Sequence, residues 1–171
     1  INTLLAKGAI FMFEEPYLGD IIAKTAYDQF YDEHVFYFCL SSLSNALSRH
    51  GLIIIDAKRQ NTHGGSMRYV IARKGEGTVS SAVTELQGQE KSLGLNDKTT
   101  FLALKGRIDA ANTKLTSLLE RLKQEGKRVV GYGATSKSTT MTNYARIGPE
   151  LVEFISDTTP AKQGKFTPGM H

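Results

Sequence analysis

Seven apolar side chains, Phe101, Leu104, Ile108, Ala111, Leu115, Leu118 and Leu122, recur at alternating steps of three and four residues. That spacing lines one side of a helix, and Gly126 closes the run with a residue that tolerates a left-handed terminus. A helix over 101–122 would be roughly 33 Å long at ~1.5 Å per residue. A stripe this regular fits a coiled-coil seam, or more commonly a long helix lying on a neighbouring domain. It could also contribute to a homodimer. The chain around it has 171 residues, enough for one good core or for one and a half small domains.

Upstream, the composition turns small and polar from Gly75 to Val79, which marks a boundary. A shorter helix is expected at 80–93, with Val83, Leu86 and Leu93 on one side. Before the boundary, residues 9–15 form a short apolar run that ends in Pro16. Its continuity predicts a strand of a parallel sheet covered on both faces, with Glu14 and Glu15 at its C-terminal edge. Residues 17–38 are expected to be loop with short helical turns. Ser41 or Ser42 then caps a helix carrying Leu43, Ala46 and Leu47, and Gly51 stops it. Leu52–Ala57 and Met67–Arg73 read as strands joined by the turn Asn61-Thr62-His63-Gly64-Gly65, the second the antiparallel partner of the first, and the strands are too few to finish a sheet.

Downstream, Arg128-Val129-Val130 leads into Gly131-Tyr132-Gly133-Ala134-Thr135-Ser136-Lys137, a helical stretch to Ile147, and a second strand at 151–155 followed by Asp157. Strand, glycine turn, helix, strand, acid is the order of a Rossmann-type half-site. Gly133 would let backbone N–H groups approach a phosphate at the positive end of the helix. Ser136 stands where the third glycine of a dinucleotide fingerprint belongs, which disfavours a dehydrogenase-type site. The hydroxyls of residues 135–139 and the Lys137 cation suit another anion; the alternative is a purely structural strand-to-helix turn. The closing stretch, Lys162 to Gly169, is basic and turn-rich and reads as a flexible tail, with a loop folding over a phosphate as the alternative.

The charge balance is +4, from 21 Lys and Arg against 17 Asp and Glu, and it is spread along the chain. No basic block interleaved with aromatics marks a nucleic-acid surface, and a small anionic ligand fits the balance at least as well. Val35–Leu40, the longest apolar run, is far too short to span a bilayer. A single cysteine, Cys39, excludes an internal disulfide and suits a reducing compartment such as the cytoplasm. The opening Ile1 and the ending at His171 suggest a piece of a longer polypeptide.

The stretch Phe30-Tyr31-Asp32-Glu33-His34-Val35-Phe36-Tyr37-Phe38 sets a histidine, two carboxylates and a phenol among large apolar residues. Desolvation there would tune such groups for proton transfer. A buried structural element with satisfied hydrogen bonds is the alternative.

Four motifs occur in one order: Tyr31-Asp32-Glu33-His34 with the aromatic run behind it, Thr62-His63-Gly64-Gly65-Ser66, Gly131-Tyr132-Gly133-Ala134, and Lys162 to His171. Together the chain resembles the S-adenosylmethionine-dependent sugar C-methyltransferases, which act on nucleotide-linked 4-keto deoxyhexoses. The resemblance implies an α/β fold: the tail of a class I methyltransferase (Rossmann-like) sheet over 1–75, a helical linker over 76–126, and a partial Rossmann-like C-terminal domain over 127–171. It implies that His34 is the general base, Glu33 the carboxylate that orients it or shares the proton, and Tyr31 the phenol near the keto group. Asp32 replaces the histidine of many relatives and receives no role. Gly133, Ser136 and Lys137 are implied as diphosphate contacts. His63 would line the sugar pocket or brace its own turn. No metal site is expected in this chain; zinc and most of the S-adenosylmethionine site would belong to sequence that precedes it, and the fragment alone should be inactive. A non-catalytic nucleotide-binding or regulatory module is the competing class.

Overall fold

The computed structural model describes residues 1–170; His171, the last residue of the fourth motif, lies outside them. The chain divides into two compact units, residues 1–26 with 35–102, and residues 27–34 with 103–171. The fold is mixed α/β, with two small sheets and five α-helices among the described residues.

In the first unit, β1 (Phe11–Pro16), β2 (Leu52–Gln60) and β3 (Ser66–Arg73) form one sheet in the order β1-β3-β2. Both pairings are antiparallel, which corrects the parallel assignment of residues 9–15. The apolar run of β1 is continuous, but it is an edge strand. Phe11 and Phe13 share a face, their rings 5.4 Å apart, whereas Met12 between them is 55% exposed. The central strand β3 buries Met67, Tyr69 and Ile71. In β2 a bulge between Ile54 and Asp56 shifts the inward positions from Leu52 and Ile54 to Ala57. As expected from its turn, Met67–Arg73 is the antiparallel partner of the preceding strand.

Residues 17–38 are more ordered than the sequence suggests. They hold the helix α1 (Leu18–Lys24) and a 3-10 turn at Tyr27–Gln29. Helix α2 (Leu40–Ser48) starts from Cys39 and not from Ser41 or Ser42. The reason is distant in sequence. Glu90, on α3 (Ser81–Ser92), is only 2% exposed and accepts hydrogen bonds from Leu40 N–H (2.6 Å), Ser41 N–H (2.9 Å), the Ser41 hydroxyl (2.8 Å) and the Tyr17 hydroxyl (3.2 Å). A carboxyl from a neighbouring helix thus takes the donors of the first turn, while the Ser42 hydroxyl accepts the Cys39 N–H (3.1 Å) in a capping box. Val83, Leu86 and Glu90 are the inward side chains of α3; Leu93 lies past its last residue, Ser92, and is exposed, and Leu95 is buried instead.

Helix α4 (Lys98–Gln124) is the long helix that the stripe predicted. It ends in a Schellman motif, with Lys127 N–H bonded to Leu122 O and Gly126 N–H to Lys123 O, and Gly126 at φ 70°. Its buried positions are Leu104, Ile108, Asn112 and Leu119, so Ala111 and Leu118 of the sequence stripe are exposed. Asn112 is accommodated because the Tyr27 hydroxyl donates to its Oδ1 (2.6 Å) and its Nδ2 donates to Ile108 O.

The second unit then follows the expected strand, turn, helix, strand order, with much shorter strands. β4 is Gly131–Tyr132 and β5 is Ile155–Ser156, paired in parallel around α5 (Ser136–Ala145). Residues 128–130 and 151–154 are outside regular strands, although Glu153 N–H still reaches Val129 O (3.0 Å). Arg128 grips the Glu153 carboxylate through both Nε and Nη2.

Candidate functional site

The second unit gathers Tyr31, Glu33 and His34, together with Gly133, Ser136 and Lys137. The Tyr31-to-His34 stretch follows the 3-10 turn directly. His34 N–H bonds back to Tyr31 O (3.3 Å), which brings the two rings edge to face with centroids 5.6 Å apart. Both side chains are half-buried, and Asp32 and Glu33 are exposed. The burial expected of this apolar run is partial, since Val35 is 79% and Phe36 66% exposed. The stretch is an irregular turn, neither strand nor helix.

Desolvation raises the Tyr31 pKa, and the charges of Glu33, Asp28 and Asp32 raise it further. The phenol therefore stays protonated through neutral pH and serves as a hydrogen-bond donor, not as a base. An imidazole beside a protonated phenol, with carboxylates next in sequence, can accept a proton from carbon while the phenol stabilises a developing oxyanion.

The 3-10 turn packs on α5. Lys137 Nζ lies 3.7 Å from Asp28 Oδ2, the Thr140 hydroxyl donates to Phe30 O (3.0 Å), and the Tyr144 ring lies against Tyr27 at 5.6 Å. Lys137 thus has a carboxylate partner in the protein itself.

The other side of α5 borders a cavity of about 800 Å³. Thr135, Ser136 and Thr139 line it from the helix, and Asp157, Lys162, Lys165 and Phe166 from the segments that follow β5. The stretch expected to be a tail is folded back: Lys162 Nζ donates to Ala134 O (2.7 Å), Gln163 Nε2 to Asp157 O (3.1 Å), and Asn143 Nδ2 to Pro168 O (2.9 Å). Lys165 is exposed on this wall without an ion-pair partner among the described residues.

The glycine turn has Gly133 at φ 95°, a conformation that favours glycine. Its N–H is bonded to Ser156 O (2.7 Å), and the Ala134 N–H to Asp157 Oδ2 (2.7 Å). Thr135 caps the helix through Ser138 N–H. What remains toward the cavity is the first helical turn, beginning at Ser136, with the donors that helix starts leave unpaired. Asp157 is committed to this turn, so it does not offer the free ribose-binding acid that S-adenosylmethionine or a dinucleotide would need there. The residues of this chain do not fit an S-adenosylmethionine site at the glycine turn.

Hydrogen bonds from Thr159 and Ala134 hold the Asp157 carboxyl at about 2, below its ordinary 3.8. A depressed folded value means that the ionised form stabilises the fold above about pH 4 and that this contribution is lost as pH falls toward 2. Urea denaturation across pH 5 to 2 should show the wild type losing more stability than Asp157→Asn over that window. Parallel curves for the two proteins would contradict the assignment.

His63 stands apart, in the first unit. It is exposed on the β2–β3 hairpin at φ 48°, where Gly65 N–H reaches Thr62 O (2.8 Å). The turn is braced without the imidazole. Lys24 Nζ donates to Gly64 O, and Gly65 packs so closely on Asp20 that a Cβ would fall 2.4 Å from its carboxylate. Arg59 and Lys24 neutralise Asp20. Sequence reasoning missed Glu90, Asp20 and Thr140; a lone acid or hydroxyl on a helix carries no local signal of a remote partner.

No group of three or more His, Cys, Asp or Glu suited to a metal ion occurs among the described residues, and no helix among them is long and apolar enough to cross a membrane. Residues 61–171 match the family model of the C-methyltransferase C-terminal domain. The chain is also similar to C-methyltransferase NovU of Streptomyces niveus, 32% identical over 170 residues. That alignment covers 99% of this chain and 40% of the relative, so the chain spans about two-fifths of its length.

Proposed function

The chain belongs to the C-methyltransferase family through its C-terminal domain, and from that premise we propose that the whole protein methylates carbon in a nucleotide-linked 4-keto deoxysugar. S-adenosylmethionine would supply an electrophilic methyl group from a site outside the residues described here. The part assigned to this chain is proton removal and substrate binding. A carbon beside a ketone becomes nucleophilic once a base takes its proton. His34 takes it, Tyr31 donates a hydrogen bond to the enolate oxygen, and Glu33 orients the imidazole or shares the proton.

The observation that carries this reading is the Tyr31–His34 ring pair, held within the same unit as a cavity of nucleotide-sugar size. In the cavity, Ser136 and the first turn of α5 would face the diphosphate, and Lys165 is the better-placed cation, since Lys137 is paired with Asp28. His63 is assigned to the sugar side of the substrate on resemblance alone.

Calorimetric titration of the full-length protein tests the ligand class. A thymidine diphosphate sugar should bind, Lys165→Ala should weaken it about tenfold, as loss of one charge-assisted phosphate contact does, and a dinucleotide should give no heat. Tight dinucleotide binding would instead favour a nucleotide-binding module without chemistry.

A further inference from the structure

Helix α5 presents two functional sides. Ser136, Thr139 and Thr142 border the cavity. Lys137, Thr140 and Tyr144, roughly 130° around the axis from them at 3.6 residues per turn, hold the turn that precedes Tyr31. The contacts are the Lys137–Asp28 ion pair (3.7 Å), the Thr140 hydroxyl on Phe30 O (3.0 Å), and the Tyr144 ring on Tyr27 (5.6 Å). Both rings of the Tyr27–Tyr144 contact are anchored on α4. The Tyr27 hydroxyl donates to Asn112 Oδ1 (2.6 Å), and the Tyr144 hydroxyl to Asp109 Oδ1 (2.7 Å), with Lys105 Nζ on the other carboxylate oxygen (2.6 Å). Phe30 O is the carbonyl immediately before Tyr31, so the Thr140 bond fixes the backbone from which the Tyr31–His34 pair is built.

We propose that Lys137 and Thr140 are positioning residues: through them α5 couples occupancy of the cavity to the placement of the Tyr31–His34 turn. The same rigid helix borders the ligand with one side and grips the turn with the other. A ligand that orders the start of α5 therefore orders the turn, and chemistry is sensitive to such placement because reacting groups must be held in near-attack geometry. This rests on the cavity being the nucleotide-sugar site. It reassigns Lys137 from the ligand to the turn.

The test uses full-length protein and two readouts. First, hydrogen–deuterium exchange of residues 27–34 is followed with and without thymidine diphosphate, whose binding is measured in parallel by calorimetry. Exchange should slow several-fold on binding in the wild type, and the response should vanish in Lys137→Met/Thr140→Val although that variant still binds. Binding without slowing in the wild type, or an intact response in the double variant, overturns the coupling alone. Failure of thymidine diphosphate to bind overturns both the coupling and the cavity assignment. Second, Lys137→Met and Asp28→Asn should each lower kcat by a similar factor, and the double variant about tenfold, with KM unchanged. A raised KM in Lys137→Met beside a silent Asp28→Asn would return Lys137 to the ligand and overturn the proposal.

Discussion

His34→Asn in the full-length protein is expected to lower kcat for methyl transfer by about 10²–10⁴-fold, the usual contribution of a positioned general base. Asparagine keeps a hydrogen-bonding side chain of similar reach but accepts no proton at neutral pH. The fold should survive, because the His34 side chain is only half-buried and its backbone bond to Tyr31 O does not depend on the imidazole. Thermal melting and substrate KM should match the wild type. Near wild-type kcat would remove His34 from the mechanism and leave the cavity assignment standing.

Glu90→Leu is expected to have the largest effect on stability. The Glu90 carboxyl is nearly inaccessible and receives two backbone N–H groups and two hydroxyls from α2 and Tyr17. Leucine fills similar volume but leaves the buried Leu40 N–H and Tyr17 hydroxyl without an acceptor. Stranded buried donors cost about 1–3 kcal/mol each, and the lost cap adds about 1 kcal/mol. A loss near 3 kcal/mol is expected in urea unfolding, because water can reach part of the opened site. Glu90→Gln keeps one acceptor oxygen and should lose less than half as much. A Glu90→Leu variant as stable as the wild type would mean that α2 does not depend on this cap.

These two residues also show what a sequence does and does not disclose. His34 stands in a local cluster of ionisable side chains that four adjacent letters mark as a candidate, and its role as base comes from the resemblance of four ordered motifs. Glu90 is one acid among many on a helix, and its role depends on α2 some fifty positions earlier. The long helix was legible because its apolar period is local. Asn112 was missed because a polar residue breaks the stripe, and only the Tyr27 hydroxyl explains why it is buried. The β1 run was misassigned as parallel because periodicity cannot reveal that β3 lies between β1 and β2. In the second unit the glycine turn, helix and acid were found in the right order. Where their hydrogen bonds go was not legible: Asp157 closes the turn, and Lys137 faces Asp28.

We propose that this chain supplies the base that removes a proton beside the keto group. The most direct measurement is exchange of that proton with deuterated solvent, followed by NMR on a thymidine-diphospho-4-keto-6-deoxyglucose probe bound to full-length protein without any methyl donor. Wild-type protein should accelerate the exchange and His34→Asn should not. Equal exchange by the two proteins, with the probe shown to be bound to both, would mean that His34 is not the base.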